Sequence, residues 1–140
     1  MRLLRIVSSI VLVSLASWAC ETSQKQLLAT GETQLALRSI QTRVFDTPDV
    51  VRTVRTVIST LQDLGFVIDQ ANVELGSVSA TKLDTYALRM TVIVSPRGEK
   101  QVAVRANAQY ELEAVEAPVP YQQFFAALEK GMFLAAQQVE

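Results

Sequence analysis

Residues 86–111, YALRMTVIVSPRGEKQVAVRANAQYE, decide the fold. In the first half, Leu88, Met90, Val92 and Val94 alternate with Arg89 and Thr91. In the second, Val102, Val104, Ala106, Ala108 and Tyr110 alternate with Arg105, Asn107, Gln109 and Glu111. A period of two sends successive side chains to opposite faces of a strand. Between the runs, Pro96-Arg97-Gly98-Glu99 has the chemistry of a turn. Two such strands about a turn predict an antiparallel hairpin, apolar on one face and wet on the other.

Upstream of the hairpin, Ser77 to Leu83 is a strand candidate, Gln70 to Gly76 a connection, and Phe66-Val67-Ile68 a short apolar strand. Before these, Thr47-Pro48-Asp49 reads as a helix start. Thr47 is the capping candidate, Pro48 suits the first helical position, and Asp49 complements the helix dipole. Val50, Val54, Val57, Ile58, Leu61 and Leu64 then share one helical face, and Gly65 ends the run. Valine is a poor helix former, so this helix depends on packing its stripe against a sheet. Ser39 to Phe45 reads as the first strand.

Downstream, Pro118-Val119-Pro120 breaks the chain. Tyr121, Phe124, Phe125, Leu128, Met132 and Ala135 form a helical stripe reaching to Gln138. Gly131 interrupts it at a cost of about 1 kcal/mol against Ala, which close packing on the sheet would justify. The order strand, helix, strands, helix predicts an α+β two-layer sandwich. Its antiparallel sheet has about four strands, with two helices on one face.

The N-terminus has a different character. Met1 to Arg5 is basic, and Ile6 to Ala19 is apolar and small, broken only by serines. The run is shorter than the roughly 20 residues of a membrane span, so it reads as a signal peptide. Ser17-Trp18-Ala19-Cys20 resembles the lipobox of bacterial lipoproteins, although Ser17 stands where that family favours Leu and Trp18 is bulky. The resemblance implies that Cys20 carries a thioether-linked diacylglycerol and becomes the new N-terminus. Ordinary cleavage after Ala19 also fits, since Ser17 and Ala19 are both small. Glu21 rather than Asp after the cysteine implies, by the same resemblance, the periplasmic face of the outer membrane. The expected organisation is a signal peptide at 1–19, a lipid attachment site with a flexible polar spacer at 20–37, and one periplasmic domain at 38–140.

Composition excludes several chemistries. The 140 residues include no histidine and one cysteine, so the commonest general base, the commonest metal ligand and any internal disulfide are missing. Arg2 and Arg5 account for two of the 13 basic residues, so the rest of the chain carries 11 against 14 acidic, a net −3. Nucleic acid, which needs a basic patch, is not an expected partner. No phosphate loop or dinucleotide fingerprint is present, and no motif surrounds Lys82, Lys100 or Lys130 to suggest a Ser–Lys pair. No catalytic residue, cofactor or metal site is expected. Asp46 and Asp49 read as helix-start residues, Glu111, Glu113 and Glu116 as a solvated strand end, and Tyr121, Phe124 and Phe125 as core. Asp69, Glu74 and Asp84 lack calcium-loop spacing. The candidate binding surface is the wet sheet face with Arg89, Thr91, Arg105, Asn107 and Gln109; a free sheet edge is a second.

Three segments carry a family resemblance: Gln41 to Thr47, Leu61 to Asp69, and Tyr121 to Phe125 continuing through Phe133-Leu134. On these the chain resembles a family of small uncharacterised proteobacterial lipoproteins. The order of elements is similar to domains of BamC-type lipoproteins of the outer-membrane assembly machinery. The expected function is a non-enzymatic accessory or scaffold, held to the membrane by its lipid and partnered by an envelope protein. The alternative is a carrier of a small ligand or lipid in a groove between helices and sheet. A fully packed core among Val54, Ile58, Phe124 and Leu128 would count against that carrier.

Overall fold

The hairpin of Ala87–Arg97 and Gln101–Tyr110 forms the centre of a six-stranded antiparallel sheet in the computed structural model, which describes residues 33–83 and 85–137. A helix α1 covers residues 33–41. It leads into β1 (Thr42–Phe45), α2 (Val50–Asp63), β2 (Val67–Asn72), β3 (Ser77–Leu83), β4 (Ala87–Arg97), β5 (Gln101–Tyr110), β6 (Glu113–Ala114) and α3 (Val119–Gln137). The sheet order is β1-β5-β4-β3-β2, with β6 also paired to β5. The described residues from 37 onward form one compact unit.

The alternation works as the sequence requires. Met90, Val92 and Val94 lie opposite Ala108, Ala106 and Val104, and all six are buried. Val78 and Ala80 extend this apolar face onto β3. The helices cover that one face. α2 contributes Val54, Val57 and Leu61, and α3 contributes Tyr121, Phe124, Phe125 and Leu128. Each fully buried aliphatic or aromatic side chain stabilises the fold by about 1.5–3 kcal/mol.

The α+β class is thus correct, but the sheet has six strands rather than about four. Glu113–Ala114, read as part of a solvated strand end, pairs with Gln109 and Tyr110. β2 continues to Asn72 through residues read as a connection: a bulge between Ile68 and Gln70 shifts the register by one residue, and pairing with β3 goes on beyond it. Residues 39–41, read as strand, end α1 instead, and residues 33–37 of the expected spacer are helical too. Pro96 lies inside β4 opposite Val102, and the turn is Gly98–Lys100. The proline is tolerated because β3 pairing ends at Ile93, with one further bond from Val94 N–H to the Gly76 carbonyl.

Asp49, not Thr47, caps α2. Its carboxylate accepts from the Arg52 N–H at 2.8 Å, while the Thr47 hydroxyl accepts from the Asp49 N–H at 3.2 Å. At the other end, Phe66 N–H bonds the Leu61 carbonyl and Gly65 N–H that of Gln62, the paired bonds of a Schellman stop. Gly131 packs against α2 rather than the sheet: a Cβ there would lie 3.0 Å from Thr56 Cγ2 and 3.3 Å from Thr60 Oγ1.

One polar contact fixes α3 to the sheet. The Tyr121 hydroxyl is buried; it donates to the Val115 carbonyl at 2.7 Å and accepts from the Ala108 N–H at 3.1 Å and from Gln41 Nε2 at 3.2 Å. Removing it strands three buried polar groups. Tyr121→Phe is therefore expected to lower unfolding stability by about 3 kcal/mol, read from the urea midpoint at unchanged slope. A change under about 0.5 kcal/mol would mean that those groups find other partners.

Candidate functional site

Two surfaces present chemistry. The first is the sheet face opposite the helices. Arg89 lies across from Gln109, Thr91 from Asn107 and Ile93 from Arg105, in consecutive outward-facing pairs. All five residues expected to form a binding face are therefore gathered on it. Arg89, Arg105 and Gln109 are exposed, while Thr91 and Asn107 are half-buried between them. Ser79 extends the central row onto β3 opposite Thr91. Among the described residues neither arginine has an ion pair; the pairs present are Arg43–Glu129 and Arg52–Asp49.

The second surface is a pocket of about 440 Å³ on the helix side of the sheet; sequence reasoning offered a groove between helices and sheet as an alternative site but located neither its place nor its lining. It opens where α2 ends and α3 begins. Leu64 and Phe66 form one wall, Val119, Pro120 and Phe124 another. Leu88 and Met90 of β4 form the floor, and Tyr86 and Tyr110 stand at the rim. The volume lies within the range of roughly 300–1,000 Å³ typical of small-molecule sites. Three of its lining residues are large and apolar yet strongly exposed: Tyr86 at 65%, Val119 at 54% and Tyr110 at 43%. Such clustering of exposed apolar surface marks an interaction site more often than scattered single residues do.

Lys82 is the charged residue of the described lining. Its ammonium lies 5.9 Å from the centroid of the Phe66 ring, and its stem passes Gly65. A signal for it was present in the sequence. Val78, Ala80 and Lys82 share one parity on β3, so a cation occupies an inward position. Arg43 is a parallel case at the far edge. Lying opposite Val104, it faces the helices, sits 5.3 Å from the Phe125 centroid and reaches Glu129 at 3.8 Å.

The remaining candidates have structural roles. Asp46 accepts from Gln101 Nε2 at 2.6 Å, and Asp69 from the Thr81 hydroxyl at 2.6 Å. Glu111 forms the turn into β6 with a positive φ of 53°. Among the described residues no three of His, Cys, Asp and Glu converge as a metal site, and no helix is long and apolar enough to cross a membrane. Cys20, the leader, most of the spacer and Asp84 lie outside the described residues. Val54, Phe124 and Leu128 are fully buried and Ile58 packs against them, so the middle of the helix–sheet interface is filled, which counts against a carrier with its groove among these four residues. The pocket lies at its end.

No protein-family model matches the chain. No curated protein is detectably similar to it. A solved structure of a DUF4468 family protein from Bacteroides ovatus aligns at 8% identity with a TM-score of 0.29, over 69% of this chain and 82% of that one. A likeness that weak supports no argument about function. The expected kinship with small proteobacterial lipoproteins and with BamC-type domains is corrected: no family model and no curated protein matches the chain, and a solved chain that does align is a DUF4468 family protein from Bacteroides.

If the two arginines of the open face serve no role in folding, Arg89→Ala and Arg105→Ala should each leave stability within about 0.5 kcal/mol. Thermal unfolding of the two variants checks this. A larger loss would show that the face is held by these side chains rather than left free for a partner.

Proposed function

We propose that this protein is a non-enzymatic envelope module, tethered by an acylated Cys20 to the periplasmic face of the outer membrane, that binds a small apolar ligand. The observation that carries the binding half is the 440 Å³ pocket with three exposed apolar residues in its lining. Leaving Tyr86, Tyr110 and Val119 in water costs hydrophobic free energy that an occupant would recover. The tether half is supported by the leader, whose apolar run ends at the chain's one cysteine. An anchored domain with a ligand pocket would act on molecules at or near the membrane surface.

A second reading, an accessory or scaffold for an envelope protein, is favoured by the open face, where Arg89 and Arg105 have no ion pair among the described residues. The exposed Ile93 and Val44 on the same face add apolar area for a partner. Nucleic acid remains an unfavoured partner, for the reason of net charge.

Two experiments test the proposal. Nile red, a neutral apolar dye, is expected to gain fluorescence with the parent chain, and Leu88→Trp, which places a larger side chain in the pocket floor, is expected to abolish that gain. Equal enhancement in both would remove the pocket as the site. Mass spectrometry of the mature N-terminus should find diacylglycerol on Cys20, and Cys20→Ala should release the protein from the membrane fraction. An unmodified N-terminus on soluble wild-type protein would overturn the tether while leaving the pocket untouched.

A further inference from the structure

Lys82 occupies an inward-facing position that an apolar side chain would fill at no electrostatic cost. Leu88 lies directly across from it, and Tyr110 across from Leu88. It is half-buried, so part of its hydration is lost. Among the described residues no carboxylate pairs with it. The Phe66 ring beneath it supplies a weak cation–π attraction. The C-terminal end of α2, beside Gly65, offsets about half an elementary charge at most. The rest of the described lining is neutral: apolar side chains, the two tyrosines, and the polar Thr85 and Gln123. An apolar cavity with one under-compensated cation is complementary to a molecule of hydrocarbon with one negative end.

We propose that the pocket selects a singly charged amphipathic anion, an alkyl or aryl carboxylate. The Lys82 ammonium takes the carboxylate, and Phe66, Leu88, Met90 and Phe124 take the hydrocarbon. The inference rests on the pocket being a ligand site, and adds to it the sign of the ligand's charge. A carboxylate on Lys82 gains charge-assisted hydrogen bonds, which are shorter and stronger than neutral ones. A neutral alcohol of the same chain keeps only the hydrophobic part. A cationic amphiphile meets repulsion.

The test uses three probes of equal chain length below their micelle concentrations: decanoate, decanol and decylammonium. The readout is the methyl NMR spectrum of the full chain labelled at methionine. Met90 lines the pocket, whereas Met132 does not and serves as the internal control. Decanoate is expected to shift Met90 with about tenfold higher affinity than decanol, the ratio a charge-assisted bond confers. Lys82→Met should bring the ratio to about one while keeping decanol affinity, and Lys82→Arg should preserve the preference. Equal binding of decanoate and decanol to the parent chain, or binding of decylammonium as tight as decanoate, overturns the charge selection and leaves the pocket standing as a site. A Met90 signal unmoved by all three probes overturns both.

Discussion

The buried hydroxyl of Tyr121 is the contact on which the rest of the arrangement depends. β5 is covered on its outer side by β1 from Val102 to Arg105, and by β6 at Gln109 and Tyr110. Between them the edge would be left open. The Tyr121 hydroxyl fills that gap by accepting from the Ala108 N–H, while Val115 N–H bonds the Ala108 carbonyl. A buried backbone donor without a partner is costly, so the gap needs a polar atom. It also needs that atom at the tip of an apolar body, because the ring lies in the core. Tyrosine meets both demands. The same hydroxyl receives Gln41, so the end of α1, the edge of β5 and the first turn of α3 meet at one oxygen.

Once α3 is fixed there, the pairing of the two long helices follows from side-chain size. α2 turns Val54, Val57 and Leu61 to the sheet, and its threonine row runs beside α3 at Gly131. Thr53 and Thr56 bond back to the Asp49 and Arg52 carbonyls, so their hydroxyls are satisfied within the helix and ask nothing of α3. What they present outward is short and largely methyl. A valine- and threonine-rich helix is weak alone; here its β-branched residues are stiff packing surfaces against two partners.

The class of fold was legible because alternation in β4 and β5 and the stripes of both long helices are local patterns. The N-cap at Asp49 and the position of Pro96 were misplaced by one or two residues, since Thr47, Pro48 and Asp49 each suit a helix start and Pro96 suits a turn. Only the end of the β3 ladder explains why a proline fits in β4. β6 and the extension of β2 were hidden because each relies on a neighbour strand, not on its own pattern. The open face with Arg89, Thr91, Arg105, Asn107 and Gln109 was readable, as outward parity is a local property. The pocket was not. Its walls come from the turn after α2, the end of β3, the loop before β4, β4, β5 and α3, and no spacing in the chain encodes where two helices stop. Lys82 alone left a trace, as a charge at inward parity after Val78 and Ala80.

The pocket itself arises from a mismatch of lengths. Eleven residues of β4 span about 37 Å, whereas fourteen of α2 span about 21 Å. A helix that short cannot cover the inner face of such a strand from end to end. Anchoring α3 at Tyr121 sets where its first turn begins, and the Schellman stop at Gly65 sets where α2 ends. Both ends fall at the same end of the sheet, above Leu88 and Tyr110. A domain with no use for the uncovered strip would turn it polar, as the opposite face is. Here the strip stays apolar and aromatic, with one cation set into it. The mismatch of lengths leaves a gap at that end, and the described residues lining it keep it apolar apart from Lys82, Thr85, Gln123 and the tyrosine hydroxyls.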